Sequence, residues 1–158
     1  MEVEMRIRGL MMDPSANTPI IILKDVNGDG MLPIWVGAFE ANAIAVEIEK
    51  LGTQRPMTHD LVKNIIWELG ASVRRIVITD LIENTFFAVI EIVRDGEVVV
   101  IDSRPSDAIA LALRADCPIY VNQEVIDSSS PPIADQSQQN DDNEWSGEMV
   151  DDASDYKM

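Results

Sequence analysis

Residues 102–107, Asp102-Ser103-Arg104-Pro105-Ser106-Asp107, put two carboxylates, a guanidinium and two hydroxyls into six positions. A proline suits the first position of a helix, because the N–H it lacks would have no partner there, so Ser103 or Arg104 is expected to cap a helix that begins at Pro105. The unpaired N–H groups of such a first turn attract anions, and Arg104 adds a full positive charge beside them. Asp102 and Asp107 could hold a divalent cation or pair with Arg104; the residues leave both open.

Residues 55–60, Arg55-Pro56-Met57-Thr58-His59-Asp60, echo that junction: Arg-Pro, a hydroxyl, an acid, then an apolar run. Thr58 is expected to cap a second helix with Asp60 in its first turn. Strand-to-helix turns in a layered domain tend to open on one edge, so the two junctions are expected to converge on one anion-sized site. Glu40, in the opening turn of a third helix, could reach the same place. His59 is the only histidine in the chain, which excludes any metal site built on paired or triple histidines and leaves it as a lone proton carrier.

The elements that must hold these groups follow from the patterning. Residues 2–8 alternate apolar and charged side chains as a strand with one wet face; residues 20–26 and 31–36 form a hairpin around Asn27-Gly28-Asp29-Gly30. That turn matches the first half of a calcium loop, but Val36 stands where the bidentate Glu is required and strands flank it, so it is a hairpin turn. Residues 37–51 read as a helix with Ala41, Ile44, Ala45, Ile48 and Leu51 on one stripe, and Gly52 ends it. In the second helix Leu61, Val62, Ile65, Ile66 and Leu69 are expected to form the buried face. Residues 71–81, 86–93 and 97–101 make a meander whose last strand, residues 98–101, reads as buried. A helix over residues 105–115 and a short closing strand at residues 119–121 complete the body.

The expected fold class is α/β of the α+β kind: a mostly antiparallel sheet with about three helices packed on it. Residues 1–127 form one domain, and residues 128–158, rich in Ser, Asp, Gln, Asn and Pro, are expected to be a disordered acidic tail. Trp145 in that tail is a candidate docking residue for a protein partner.

Charge bounds the partners. The net charge is −16, of which −9 falls in residues 1–127, so nucleic-acid binding is possible at a few arginines but disfavoured over a broad surface. No apolar run is long enough to cross a bilayer and no secretory signal opens the chain, so no membrane association and a cytoplasmic location are expected. The single Cys117 forms no internal disulfide and reads as a small buried hydrophobe. The open edges of a small meander lead us to expect a homo-oligomer.

Three segments together resemble the signatures of the bifunctional nuclease family: Leu32-Pro33-Ile34-Trp35-Val36-Gly37 with Glu40-Ala41-Asn42-Ala43-Ile44, then residues 55–61, then residues 102–112. The similarity runs over residues 1–125 in one order. It implies an α/β domain with a mostly antiparallel sheet and hydrolysis of phosphodiester bonds in RNA and DNA. If the chain cuts such bonds, the resemblance leads to metal-assisted hydrolysis. Glu40, Asp60, Asp102 and Asp107 would hold Mg²⁺ or Mn²⁺; Arg55 and Arg104, with Thr58 and Ser106, would bind the phosphate; His59, Asp60, Arg104 and Asp107 would be the catalytic set. The alternative is a non-catalytic regulatory or assembly module that binds a small anionic ligand, which suits the acidic surface better.

Overall fold

Alternating apolar residues dictate the sheet, and in the computed structural model, which describes residues 1–129, seven strands realise it. The strands are β1 (Glu2–Asp13), β2 (Thr18–Asp25), β3 (Met31–Trp35), β4 (Ala71–Ile82), β5 (Thr85–Arg94), β6 (Glu97–Ser103) and β7 (Ile119–Asn122), in the order β3-β2-β1-β7-β4-β5-β6. All neighbours are antiparallel except β4 and β7. Four helices accompany them: α1 (Ala38–Ile48), α2 (Thr58–Glu68), α3 (Pro105–Ala115) and α4 (Gln123–Ser129). The mixed fold is therefore the expected one, with a fourth helix beyond the three expected, whose last two residues fall in the expected tail.

Because side chains alternate across a strand, the cross-strand pairs fix which face is the core. Met5 opposes Ile119, Ile119 opposes Ile76 and Ile76 opposes Ile90, while Ile21 opposes Ile34 and Leu23 opposes Leu32. These residues form one cluster with Ala41, Ile44 and Ala45 of α1, Ile109 and Leu111 of α3 and Val125 and Ile126 of α4. The opposite face carries Arg75, which ion-pairs with Glu2 and Glu91 and lies 5.0 Å from the centre of the Tyr120 ring. The adjacent basic pair Arg74-Arg75 is thus half spent on an internal charge cluster.

Several expectations need correction. Strand β1 continues to Asp13, past an irregularity between Ile7 and Gly9. Residues 98–101 are not buried: β6 is an edge strand whose Val98, Val99, Val100 and Ile101 are 44–59 % exposed, because only β5 pairs with it. Helix α2 buries no residue at all, and Leu61, Val62, Ile65 and Leu69 face outward. In α1 the buried set moves to Ala41, Ala43, Ile44, Ala45 and Val46, leaving Ile48 exposed. Ser128 and Ser129 belong to α4. Beyond them the expected tail, Trp145 included, lies outside the described residues. No described helix is long and apolar enough to cross a membrane.

Candidate active site

Helix α3 starts as its sequence requires. Arg104 is the extended residue before the first turn and Pro105 opens the helix. Asp107, three residues on, then points back so that Arg104 Nε donates to Asp107 Oδ2 at 2.8 Å. The other branch of the same guanidinium reaches α1, where Nη1 donates to Glu40 Oε1 at 3.0 Å. Glu40 occupies the third position of α1, after the extended Gly37. A Cβ on residue 37 would stand 2.2 Å from Glu40 Oε2, so the absence of a side chain there is what lets this carboxylate fold back.

The second junction starts one residue earlier than its hydroxyl suggests. Met57, not Thr58, is the cap residue, because Asp60 Oδ2 accepts from the Met57 N–H at 2.9 Å and closes the turn from within. Thr58 is exposed at the first helical position. His59, one residue further, is directed to α3: its Nε2 lies 2.9 Å from Asp107 Oδ1. The two Arg-Pro junctions therefore meet, through a chain of contacts His59–Asp107–Arg104–Glu40 that ties three helix starts together.

A residue the sequence reading did not single out completes the frame. Arg114, in the last turn of α3, is 2 % exposed along its side chain and donates to Asp60 Oδ1 at 2.9 Å, to Ala110 O at 2.8 Å and to Ala43 O at 2.9 Å. Its guanidinium links α1, α2 and α3. The signal was available: Arg114 falls seven residues after Asp107, on the same helical stripe, amid Ala and Leu.

The electrostatics follow from these contacts. Burial alone would raise the Asp107 carboxyl, but the hydrogen bonds and charges of Arg104 and His59 outweigh it and hold Asp107 below its ordinary range. The hydrogen bond to Asp107, then that to Glu40, raises Arg104 in return. Arg104 nonetheless stays 63 % exposed along its side chain, and its Nη2 has no hydrogen-bond partner among the described residues.

The remaining candidates are dispersed. Arg55 is exposed, and its guanidinium makes no hydrogen bond or ion pair among the described residues. Ser106 is 6 % exposed, packed into the first turn of α3, and offers a substrate little surface. Asp102 lies exposed on the edge strand β6. Of the four carboxylates considered as metal ligands, Glu40 and Asp107 face Arg104 and Asp60 faces Arg114. Among the described residues no three His, Cys, Asp or Glu side chains gather where they could share an ion. As placed, these carboxylates are partners of arginines and do not fit a metal-ligand set.

The pattern that defines the bifunctional nuclease domain matches residues 21–134. An uncharacterized protein of Mycobacterium tuberculosis is 41 % identical over 134 residues, 85 % of this chain and 80 % of its own length. Bifunctional nuclease 1 of Oryza sativa subsp. japonica is 30 % identical over 122 residues, and bifunctional nuclease 1 of Arabidopsis thaliana 33 % over 109 residues. These alignments cover 75 % and 66 % of this chain but only 37 % and 34 % of the plant proteins.

Proposed function

Since the chain belongs to the bifunctional nuclease domain family, we propose that it hydrolyses phosphodiester bonds of single-stranded RNA and DNA at the His59–Asp107–Arg104–Glu40 cluster. The observation that carries this reading is the contact of His59 Nε2 with Asp107 Oδ1 beside an exposed guanidinium. A carboxylate that accepts from Nε2–H fixes the tautomer in which Nδ1 is unprotonated, and an imidazole so oriented is a general base. Nδ1 takes a proton from the attacking water, whose oxygen forms the new bond to phosphorus as the bond from phosphorus to the leaving oxygen breaks, and the imidazolium then returns the proton to that leaving oxygen. Arg104 Nη2 faces the charge that builds on the phosphoryl oxygens. A metal ion at this cluster would require Glu40 and Asp107 first to leave Arg104.

A second reading, a non-catalytic module, is favoured by one observation: Arg104 is already paired with two carboxylates, so together they carry one net negative charge against an incoming anion. End-labelled single-stranded RNA and DNA oligonucleotides, incubated with and without Mg²⁺, Mn²⁺ and a chelator, separate the readings. We expect cleavage that persists in chelator and falls about 10²–10⁴-fold in His59→Ala, the usual contribution of a general base. Cleavage that needs the metal would restore the carboxylates as ligands. Cleavage absent throughout, or unchanged in His59→Ala, would leave the binding module.

A further inference from the structure

The edge strand β6 and the outer face of α2 form one apolar surface, and we propose that a second copy of this chain covers it. Their continuity follows from how α2 is tied at both ends. Its first turn is bonded through His59 to Asp107, at the start of the helix that follows β6 after one residue. Its last turn leads through Gly70 into Ala71, which opposes Arg94, itself opposite Glu97 at the start of β6. Helix α2 thus runs between the two ends of β6. Val99 and Ile101 oppose Ile92 and Ile90 of the core, so they lie on the helix-bearing face of the sheet.

What is left uncovered along this edge, on both faces of β6, is large for a free surface. Leu61, Val62, Ile65 and Leu69, one stripe of α2, are 38–62 % exposed, and Val98, Val99, Val100 and Ile101 are 44–59 % exposed. On the helix-bearing face the α2 stripe with Val99 and Ile101 presents roughly 500 Å², at the upper end of what a monomer leaves as one apolar patch, and Val98 and Val100 on the other face of β6 bring the apolar area along this edge toward the ~800 Å² per partner of a stable dimer. The outer edge of β6 adds a row of main-chain N–H and C=O groups that no described strand pairs.

A second copy fits better than any other occupant because the edge is self-complementary. A two-fold axis normal to the sheet brings same-face residues of two antiparallel β6 strands opposite each other. With the axis at Val100, Val99 meets the second copy's Ile101, and Glu97 meets the second copy's Ser103 instead of an acid. Val98 meets the second copy's Asp102, so no two acids face each other, and both helix layers lie on the same side of a continuous sheet, where the α2 stripes meet. The chain's charge of −16 opposes such a pairing, so association must strengthen as salt screens the repulsion.

Sedimentation equilibrium of the full chain tests this, with Val100→Lys and Ile65→Glu as variants at exposed positions and circular dichroism to verify their folding. We expect a dimer whose dissociation constant falls with added salt and rises at least tenfold in each variant. Amide exchange provides a readout without substitution: the residues of 98–101 whose N–H points outward should be protected at high protein concentration and lose protection on dilution. A chain that stays monomeric at high concentration, or a dimer that survives both variants with residues 98–101 unprotected, would overturn the proposal.

Discussion

His59 Nε2 and Asp107 Oδ1 stand 2.9 Å apart although 48 residues separate them in the chain. That contact joins the starts of α2 and α3, and it has a consequence for acid stability. Asp107 is held below its ordinary range in the folded protein, so it binds its proton more weakly there than in the unfolded chain. The stabilisation it contributes is complete above the unfolded carboxylate value of about 4 and is lost as pH falls through that value to the lower folded one. Asp107→Asn should therefore be less stable than the wild type at neutral pH and converge on it in acid. Urea unfolding followed from neutral pH down to strong acid measures this; parallel curves would show that Asp107 contributes nothing through its charge.

Gly37 offers a way to move Glu40 without removing its charge. Its backbone is extended at φ −74°, which alanine adopts freely, but the added Cβ would meet Glu40 Oε2 at 2.2 Å. The carboxylate, the far end of a flexible side chain, has to swing away from its present position beside Arg104. Gly37→Ala should cost less than about 1 kcal/mol of stability, as surface changes usually do. Its effect on cleavage should match that of Glu40→Gln, and the double variant should show no further loss, because residues acting through one contact are not additive. Independent, additive effects would break the link between residue 37 and Arg104.

How far these relationships could be read in advance depends on what each signal measures. The meander and the start of α3 were legible, because alternation and Pro105 are local and the backbone obeys them locally. The apolar runs of α2 and β6 predict burial that the fold does not provide, since hydrophobicity reports what a segment would gain from cover and not whether this chain supplies it. Thr58 lost the cap to Met57 because Asp60 closes the turn from the third position. The helical stripe that Arg114 shares with Asp107 is legible but its partners are not: Asp60 and Ala43 are 54 and 71 residues away, and only the packing of three helices brings them to one guanidinium.

Cys117 gives a test of the core at the end of α3. Burial pushes its thiol up to about 11, with the Asp116 charge adding to the effect. Only the thiolate attacks a disulfide reagent, so at pH 8 the native protein should react roughly 100-fold more slowly than an unstructured thiol. Denaturant should restore the ordinary rate. Stopped-flow reaction with an aromatic disulfide reads both, and a native rate equal to the unfolded one would place the thiol in water.

Arg114 is the group on which the site's geometry depends most, because one planar side chain serves an acid on α2, a carbonyl on α1 and a carbonyl of its own helix. Arg114→Met keeps much of the volume but leaves Ala43 O and Asp60 without this donor. Breaking one partner of a buried pair costs about 3–5 kcal/mol, and the part-exposed Asp60 recovers some of that from water, so about 3 kcal/mol is expected. For a domain of this size that is a fall of roughly 10 °C in Tm. Arg114→Lys should recover only a fraction, since an ammonium group does not reproduce a planar fork of donors. Asp60→Asn, at the wetter end of the pair, should cost less than Arg114→Met. Calorimetry of the three variants orders them; if Arg114→Met matches the wild type, the three helix starts are held by apolar packing alone, and the His59–Asp107 contact does not need the buried guanidinium.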